Sequence, residues 1–203
     1  MIRPRVIDRA WTHIPRRRSE HGITEVLGVI VHAMGERIIV QRDPIDAWEF
    51  LDESPDLIGE LLSVHAICHP DGTLTVCADD GAKCNHAGVS HLADMSDLNW
   101  TFLGIEFLLQ GAWAYRDFRK AMDTGAVRYT DAQYEAGGWW IATKMRQYGF
   151  GRGRVARHSQ VSGDDIRGRG LGKRDPGVGF NDGKLTLAID KWLEVIEADE
   201  YEP

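Results

Sequence analysis

Apolar positions along the chain fall into short continuous runs and into helical spacings. The run EVLGVIVH, residues 25–32, is β-branched and unbroken, which suits a strand buried on both faces of a sheet. It predicts a strand that closes on His32. In SVHAICHPDGTLTVCA, residues 63–78, two strand-like runs flank His69-Pro70-Asp71-Gly72; proline and glycine there supply turn chemistry, so the segment predicts a hairpin. FLGIEFLL, residues 102–109, is a further apolar run, yet it carries Glu106 at its middle. A carboxylate inside such a strand needs a function or a partner.

Helices follow from the other periodicity. Asp43-Pro44 ahead of IDAWEFL has the cap and first-turn proline of a helix start, and a short helix is expected. Thr130 and Gln133 form a capping-box pattern, Ala132, Ala136, Trp140 and Thr143 keep helical spacing, and Gly149 supplies the stop. A closing helix is expected over residues 185–198, with Leu185, Ala188, Trp192 and Ile196 on one face. Residues 154–158 predict a short strand ending on His158, followed by a long glycine-rich loop from Ser162 to Gly183. Loops of that length usually serve a function. The interleaving predicts an α/β fold: a single domain with a central mixed β-sheet flanked by helices.

With 203 residues, 43% of them hydrophobic, the chain can bury one full core. Residues 1–20 read as a basic N-terminal arm and 21–203 as the one folded domain. No apolar run approaches the length of a bilayer span, and arginines stand where a secretory signal has its apolar centre. Synthesis in the cytoplasm without a signal peptide, and no stable membrane insertion, are expected. Three cysteines, Cys68, Cys77 and Cys84, are too few for a disulfide framework and read as small apolar residues. The formal charge of -7 argues against nucleic acid as a partner; a monomer is expected.

Among eight histidines, spacing alone selects no ligand set, but His32 and His158 each close a strand-like run, and sites in α/β sheets assemble at strand ends. The stretches GVIVHAMG, HPDGTLT, NHAGVS, NWTFLGIEF, YTDAQYEA, ARHSQVSG and KRDPGVGF resemble, in order, the landmarks of the type 2 N-acetylmuramoyl-L-alanine amidases. This family includes phage endolysins, cytosolic amidases that recycle wall fragments, and peptidoglycan recognition proteins. The resemblance implies a Zn2+ cofactor held by His32, His158 and Asp175 at the strand ends, with one coordination position left for water. It also implies Glu106 as the catalytic acid and base, Lys173 as support for the oxyanion, and His86 as a contact to substrate. A tyrosine found before the hairpin histidine in many phage members is replaced here by Val64, which puts more weight on Glu106. Arginines crowd the segment from Arg152 to Arg174; guanidinium groups suit the carboxylates of a peptidoglycan stem peptide, and Arg174 is the first candidate. The implied reaction is hydrolysis of the bond between the lactyl group of N-acetylmuramic acid and L-alanine. A phage endolysin that lyses the host wall after release is the expected setting. A recycling amidase and a peptidoglycan-binding module without activity are the alternatives.

Overall fold

The computed structural model describes residues 2–8, 22–23, 25–40, 43–46 and 63–201. Its centre is a pair of long strands, β2 (Gly28–Val40) and β8 (Phe102–Ala114), lying parallel. Around them the sheet has the order β1 (Val6–Asp8), β5 (Leu74–Val76), β4 (Ala66–Cys68), β8, β2. The far edge of β2 is shared. Its first half pairs with β9 (Val155–Arg157) in parallel and its second half with β3 (Asp43–Asp46) antiparallel. Four of the six pairings in this mixed sheet are parallel. A small separate ribbon joins β6 (His91–Leu92) and β7 (Met95–Ser96).

Alternation along β2 and β8 sorts the side chains onto two faces. Val29, Val31, Leu103, Ile105 and Phe107 are buried against α2 (Asp131–Tyr148) and α5 (Asp182–Tyr201), whose Tyr134, Trp140, Ile141, Ile189 and Trp192 complete the main core. The opposite face carries Ile30, packed under loops by Ala87, Leu98 and Val161. Helix α1 (Tyr115–Thr124) seals the end of the sheet through Phe118, Ala121 and Met122.

Helix α2 sits close to the sheet because Gly137 has no side chain. A Cβ there would lie 2.5 Å from Phe107 Cζ. Its start has the expected capping box: Gln133 N–H donates to Thr130 Oγ1 (3.1 Å), and Thr130 N–H donates to Gln133 Oε1 (3.0 Å). Such caps are worth about 1 kcal/mol. Gln133 then donates from Nε2 to the carbonyls of Cys68 and Leu108, at 3.2 and 2.9 Å, which locks helix to sheet.

The hairpin, the α2 helix and the closing helix stand where the sequence pattern predicts them. The helix expected to start at Asp43-Pro44 does not: residues 43–46 are strand, and residues 47–62 lie outside the described residues. The long β2 offers a free edge, and Pro44, with no N–H, is tolerated on an edge strand. Nor does β2 stop at His32; it runs on to Val40. Of the basic arm, residues 9–20 lie outside the described residues, while Val6–Asp8 pair with β5. No helix among the described residues is long and apolar enough to cross a membrane. Cys68, Cys77 and Cys84 form no disulfide, and burial pushes the Cys84 thiol up to about 12.

His65 follows Val64 into the hairpin and is fully buried. Gly104 N–H donates to its Nδ1, and its Nε2 pairs with the Ala82 carbonyl, both at 3.0 Å. Burial pushes its pKa down to about 4. The unfolded chain therefore takes up a proton below pH 6.5 that the folded chain refuses until about pH 4, so acid destabilises the fold across that window. Urea unfolding of the metal-free protein should show stability falling from pH 6.5 toward 4, and His65→Asn should reduce the slope by up to about 1.4 kcal/mol per pH unit. An unchanged slope in the variant would assign the acid sensitivity elsewhere.

Candidate metal centre

His32 sits inside β2 with its side chain on the face that the helices leave to loops. In the parallel register it stands opposite Glu106 of β8, which in turn stands opposite Ile67 of β4. The strand pairing alone therefore fixes His32 beside Glu106. His158 enters from the neighbouring side as the first residue of α3 (His158–Val161), directly after β9, which pairs with β2 at Val29, Ile30 and Val31. Asp175 arrives from the long loop. Its carbonyl accepts from Ser159 N–H (2.9 Å), and the Pro176 carbonyl accepts from Tyr129 Oη (2.7 Å). Gly177, at φ +81°, rests on Met122 of α1, and Val178 N–H donates to the Met122 carbonyl. The loop is thus anchored on both sides of its carboxylate.

These anchors bring three ligand atoms, one each from His32, His158 and Asp175, within 4.8 Å of one another. Asp175 Oδ2 lies 3.0 Å from His158 Nδ1 and 3.4 Å from His32 Nδ1. The outer nitrogens of the two rings decide what the inner ones are. His158 Nε2 faces the Ala87 carbonyl at 3.2 Å and must donate to it. His32 Nε2 lies 2.9 Å from His86 Nδ1, while His86 Nε2 faces the Phe102 carbonyl at 3.0 Å. A carbonyl only accepts, so the His86 proton sits on Nε2, its Nδ1 accepts, and His32 donates from Nε2. Burial lowers the pKa of His32 to about 4, with His158 adding to the effect and Asp175 opposing it. Burial likewise holds His86 well below the usual histidine range. With both Nε2 atoms held by partners behind them, the Nδ1 atoms of His32 and His158 are the ones turned to Asp175. Burial would raise the Asp175 carboxyl, but facing His158 and His32 holds it well below the usual carboxylate range. The three side chains converge on one point, and two imidazoles with one carboxylate can hold a metal ion there.

Glu106 borders this cluster. Its Oε2 is buried with no hydrogen-bond partner among the described residues. Burial, then the Asp175 charge, raises its pKa well above the ordinary value, while Lys173 pulls it back. Lys173 is held two residues before Asp175 by its N–H to the Ser162 carbonyl (2.9 Å). Asp164, the first residue of α4 (Asp164–Arg167), organises that loop, accepting from Gly170 N–H (3.1 Å), Gly172 N–H (2.8 Å) and Arg174 Nη2 (2.9 Å). Arg174 also approaches Asp123, at 3.6 Å.

Arg157 and Arg167, in the same segment, are occupied within the protein. Arg157 forks onto Asp182 from Nε (2.7 Å) and Nη2 (2.5 Å), bracing β9 against α5. Arg167 donates to Ser162 Oγ at 3.3 Å. Trp100 is partly exposed with Lys83 Nζ 4.0 Å over its ring, and Trp113 packs on the α1 cluster. His86 is buried, with both ring nitrogens turned to partners inside the protein. Sequence pattern alone did not point to the structural parts played by Tyr129, Asn99 and the Ala87 carbonyl. A backbone acceptor leaves no residue-type signal, although Ala87 and Asn99 stand in the NHAGVS and NWTFLGIEF stretches.

A model of the N-acetylmuramoyl-L-alanine amidase family, Amidase_2, matches residues 23–178. The chain belongs to this family. Comparison with curated protein sequences gives no significant match. Solved structures share the fold: AmpD, in a selenomethionine derivative, at TM-score 0.58 and 18% identity, covering 93% of this chain and 96% of that one. The N-acetylmuramoyl-L-alanine amidase LysC from Clostridium intestinale has TM-score 0.56 and 14% identity, covering 92% and 98%. The amidase AmiD from E. coli, in complex with the substrate anhydro-N-acetylmuramic acid-L-Ala-D-gamma-Glu-L-Lys, has TM-score 0.55 and 18% identity, covering 85% of this chain and 61% of that one.

Replacing Asp175 by Asn keeps the shape but removes the anion. Competition against a chelator, with Zn2+ as the probe ion, should show affinity lower by more than about 100-fold, beyond what changes around the ligands usually cost. Equal affinity in Asp175→Asn would take the carboxylate out of the centre.

Proposed function

We propose that this amidase-family chain is a zinc-dependent N-acetylmuramoyl-L-alanine amidase, cutting the amide between the lactyl carbonyl of N-acetylmuramic acid and L-alanine in peptidoglycan. The observation that carries the reading is the placement of Glu106: a carboxyl whose Oε2 is buried and unpartnered, set by strand register beside His32 and the two side chains that converge on it. A buried carboxylate without a partner is costly, and a purely structural site would satisfy or replace it. The binding-module alternative leaves that cost unexplained.

His32, His158 and Asp175 would hold the ion, and zinc, when bound, supplies Lewis acidity and makes water a nucleophile at neutral pH. Glu106 accepts the proton of the attacking water at Oε2 and returns it to the nitrogen of the departing L-alanine. Its raised pKa suits the return, because the proton must be held until the C–N bond breaks. The Lys173 ammonium, close enough to act on Glu106 and His32, stabilises the negative oxygen that grows on the lactyl carbonyl. Arg174, steadied by Asp164, offers a guanidinium to a carboxylate of the stem peptide. The AmiD complex supports a muropeptide as the ligand of this fold. Within this reading the endolysin setting implies activity on intact sacculi, and the recycling setting activity on soluble anhydro-muropeptides.

Release of new L-alanine amino termini from purified sacculi tests the reaction. Glu106→Gln should lower kcat by about 100- to 10,000-fold with zinc still bound, and Lys173→Met by about 100- to 1,000-fold. Full activity of the chelator-treated, metal-free protein would contradict the zinc reading, and full activity of Glu106→Gln the assignment of the base. The same assay on intact sacculi against soluble anhydro-muropeptides separates the two settings.

A further inference from the structure

Both imidazoles of the metal centre are held from behind by one short stretch of chain. His86 takes the Nε2–H of His32, and the next carbonyl, that of Ala87, takes the Nε2–H of His158, at 2.9 and 3.2 Å. Adjacent residues thus touch ligands that come from different elements. The stretch is itself clamped: Asn99 Oδ1 accepts from His86 N–H (3.0 Å) and Ala87 N–H (2.7 Å), and Ser63 pairs with Asn85 through Oγ and N–H, at 2.9 and 3.2 Å.

β8 is shaped for this contact. At Gly104 a Cβ would lie 2.8 Å from His86 Cγ and 2.8 Å from its Nδ1, so the imidazole occupies the space that any side chain at 104 would need. Its far nitrogen is fixed on the Phe102 carbonyl of the same strand. The ring is edge-on to His32, with centroids 5.0 Å apart and planes at 85°, which aims its Nδ1 lone pair at a ring N–H in the plane of His32. His86 is 8% exposed and Ala87 fully buried, so neither competes with solvent for these bonds.

We propose that His86 and Ala87, clamped by Asn99, form a clip that sets which ring nitrogen of His32 and of His158 faces the metal. His86 and Asn99 are then positioning residues for the centre. The inference rests on His32, His158 and Asp175 being the ligands. An imidazole without an outer partner divides itself between two tautomers and rotates, and outer partners of this kind typically change metal affinity by about 10- to 100-fold. The clip removes both freedoms from two ligands at once, through one segment anchored to the strand that also carries Glu106.

The test has two parts. Nitrogen-15 spectra of the histidine rings in the metal-free, full-length protein at neutral pH should show His86 and His32 with the proton on Nε2 and a bare Nδ1. A proton on His32 Nδ1 with Nε2 bare would overturn the proposal. This reading needs neither metal nor activity, so it fails independently of the zinc assignment. Zinc affinity by chelator competition is the second part. His86→Phe keeps the ring volume without the acceptor and should lose about 10- to 100-fold. His86→Gln should recover most of that loss, because an amide again offers an acceptor to His32 and a donor to the Phe102 carbonyl. Asn99→Ala should weaken binding in the same direction and Asn99→Asp, which keeps the acceptor, should restore it. Unchanged affinity in folded His86→Phe or in Asn99→Ala would overturn the clip. Should His86→Phe fail to fold, the Asn99 pair and the spectra of the unmodified protein decide.

Discussion

Asp175 Oδ2 lies 3.0 Å from His158 Nδ1 and 3.4 Å from His32 Nδ1, a convergence of two imidazoles on one carboxylate that can take a metal ion. The surrounding structure holds it in place by distributing the work: His32 on a central strand, His158 at the start of a helix, and Asp175 on a loop pinned by Ser159, Tyr129 and Met122. Because each ligand is fixed by a different element, the centre depends on the whole fold being assembled. An ion held by all three would bind the folded chain and not the unfolded one, and would therefore add to stability.

The sheet separates this chemistry from the packing. One face of β2 and β8 gives Val29, Val31, Ile105 and Phe107 to the helices. The alternate residues of the same strands give His32, Gly104 and Glu106 to the loops. Side chains that need close placement thus sit on the two central strands, whose other face is packed by the α2–α5 core. The loop face supplies what these strands do not: the Ala87 carbonyl behind His158, and a lysine two residues before Asp175.

Strand and helix periodicity made the hairpin, the capping box at Thr130 and the closing helix legible, since each is specified by local chemistry. It misread Asp43-Pro44, where proline fits a helix start and an edge strand equally well and only the free edge of β2 decides. It also ended β2 at His32, because the polar residues beyond it look like a stop when the partner strand is not in view. The two histidines were distinguishable by their strand-like surroundings; Asp175 was legible through the family pattern, since a lone Asp before Pro-Gly otherwise reads as a turn. The hydrogen bonds behind the ligands involve backbone carbonyls and residues distant in sequence, which no pattern of residue types encodes.

The central claim is that His32, His158 and Asp175 hold one zinc ion between them. X-ray absorption at the zinc edge of the loaded protein tests it most directly. The account predicts two imidazole ligands at about 2.0–2.1 Å with oxygen completing a four-coordinate shell. Sulfur scattering at about 2.3 Å, or a shell with fewer than two imidazoles, would contradict it.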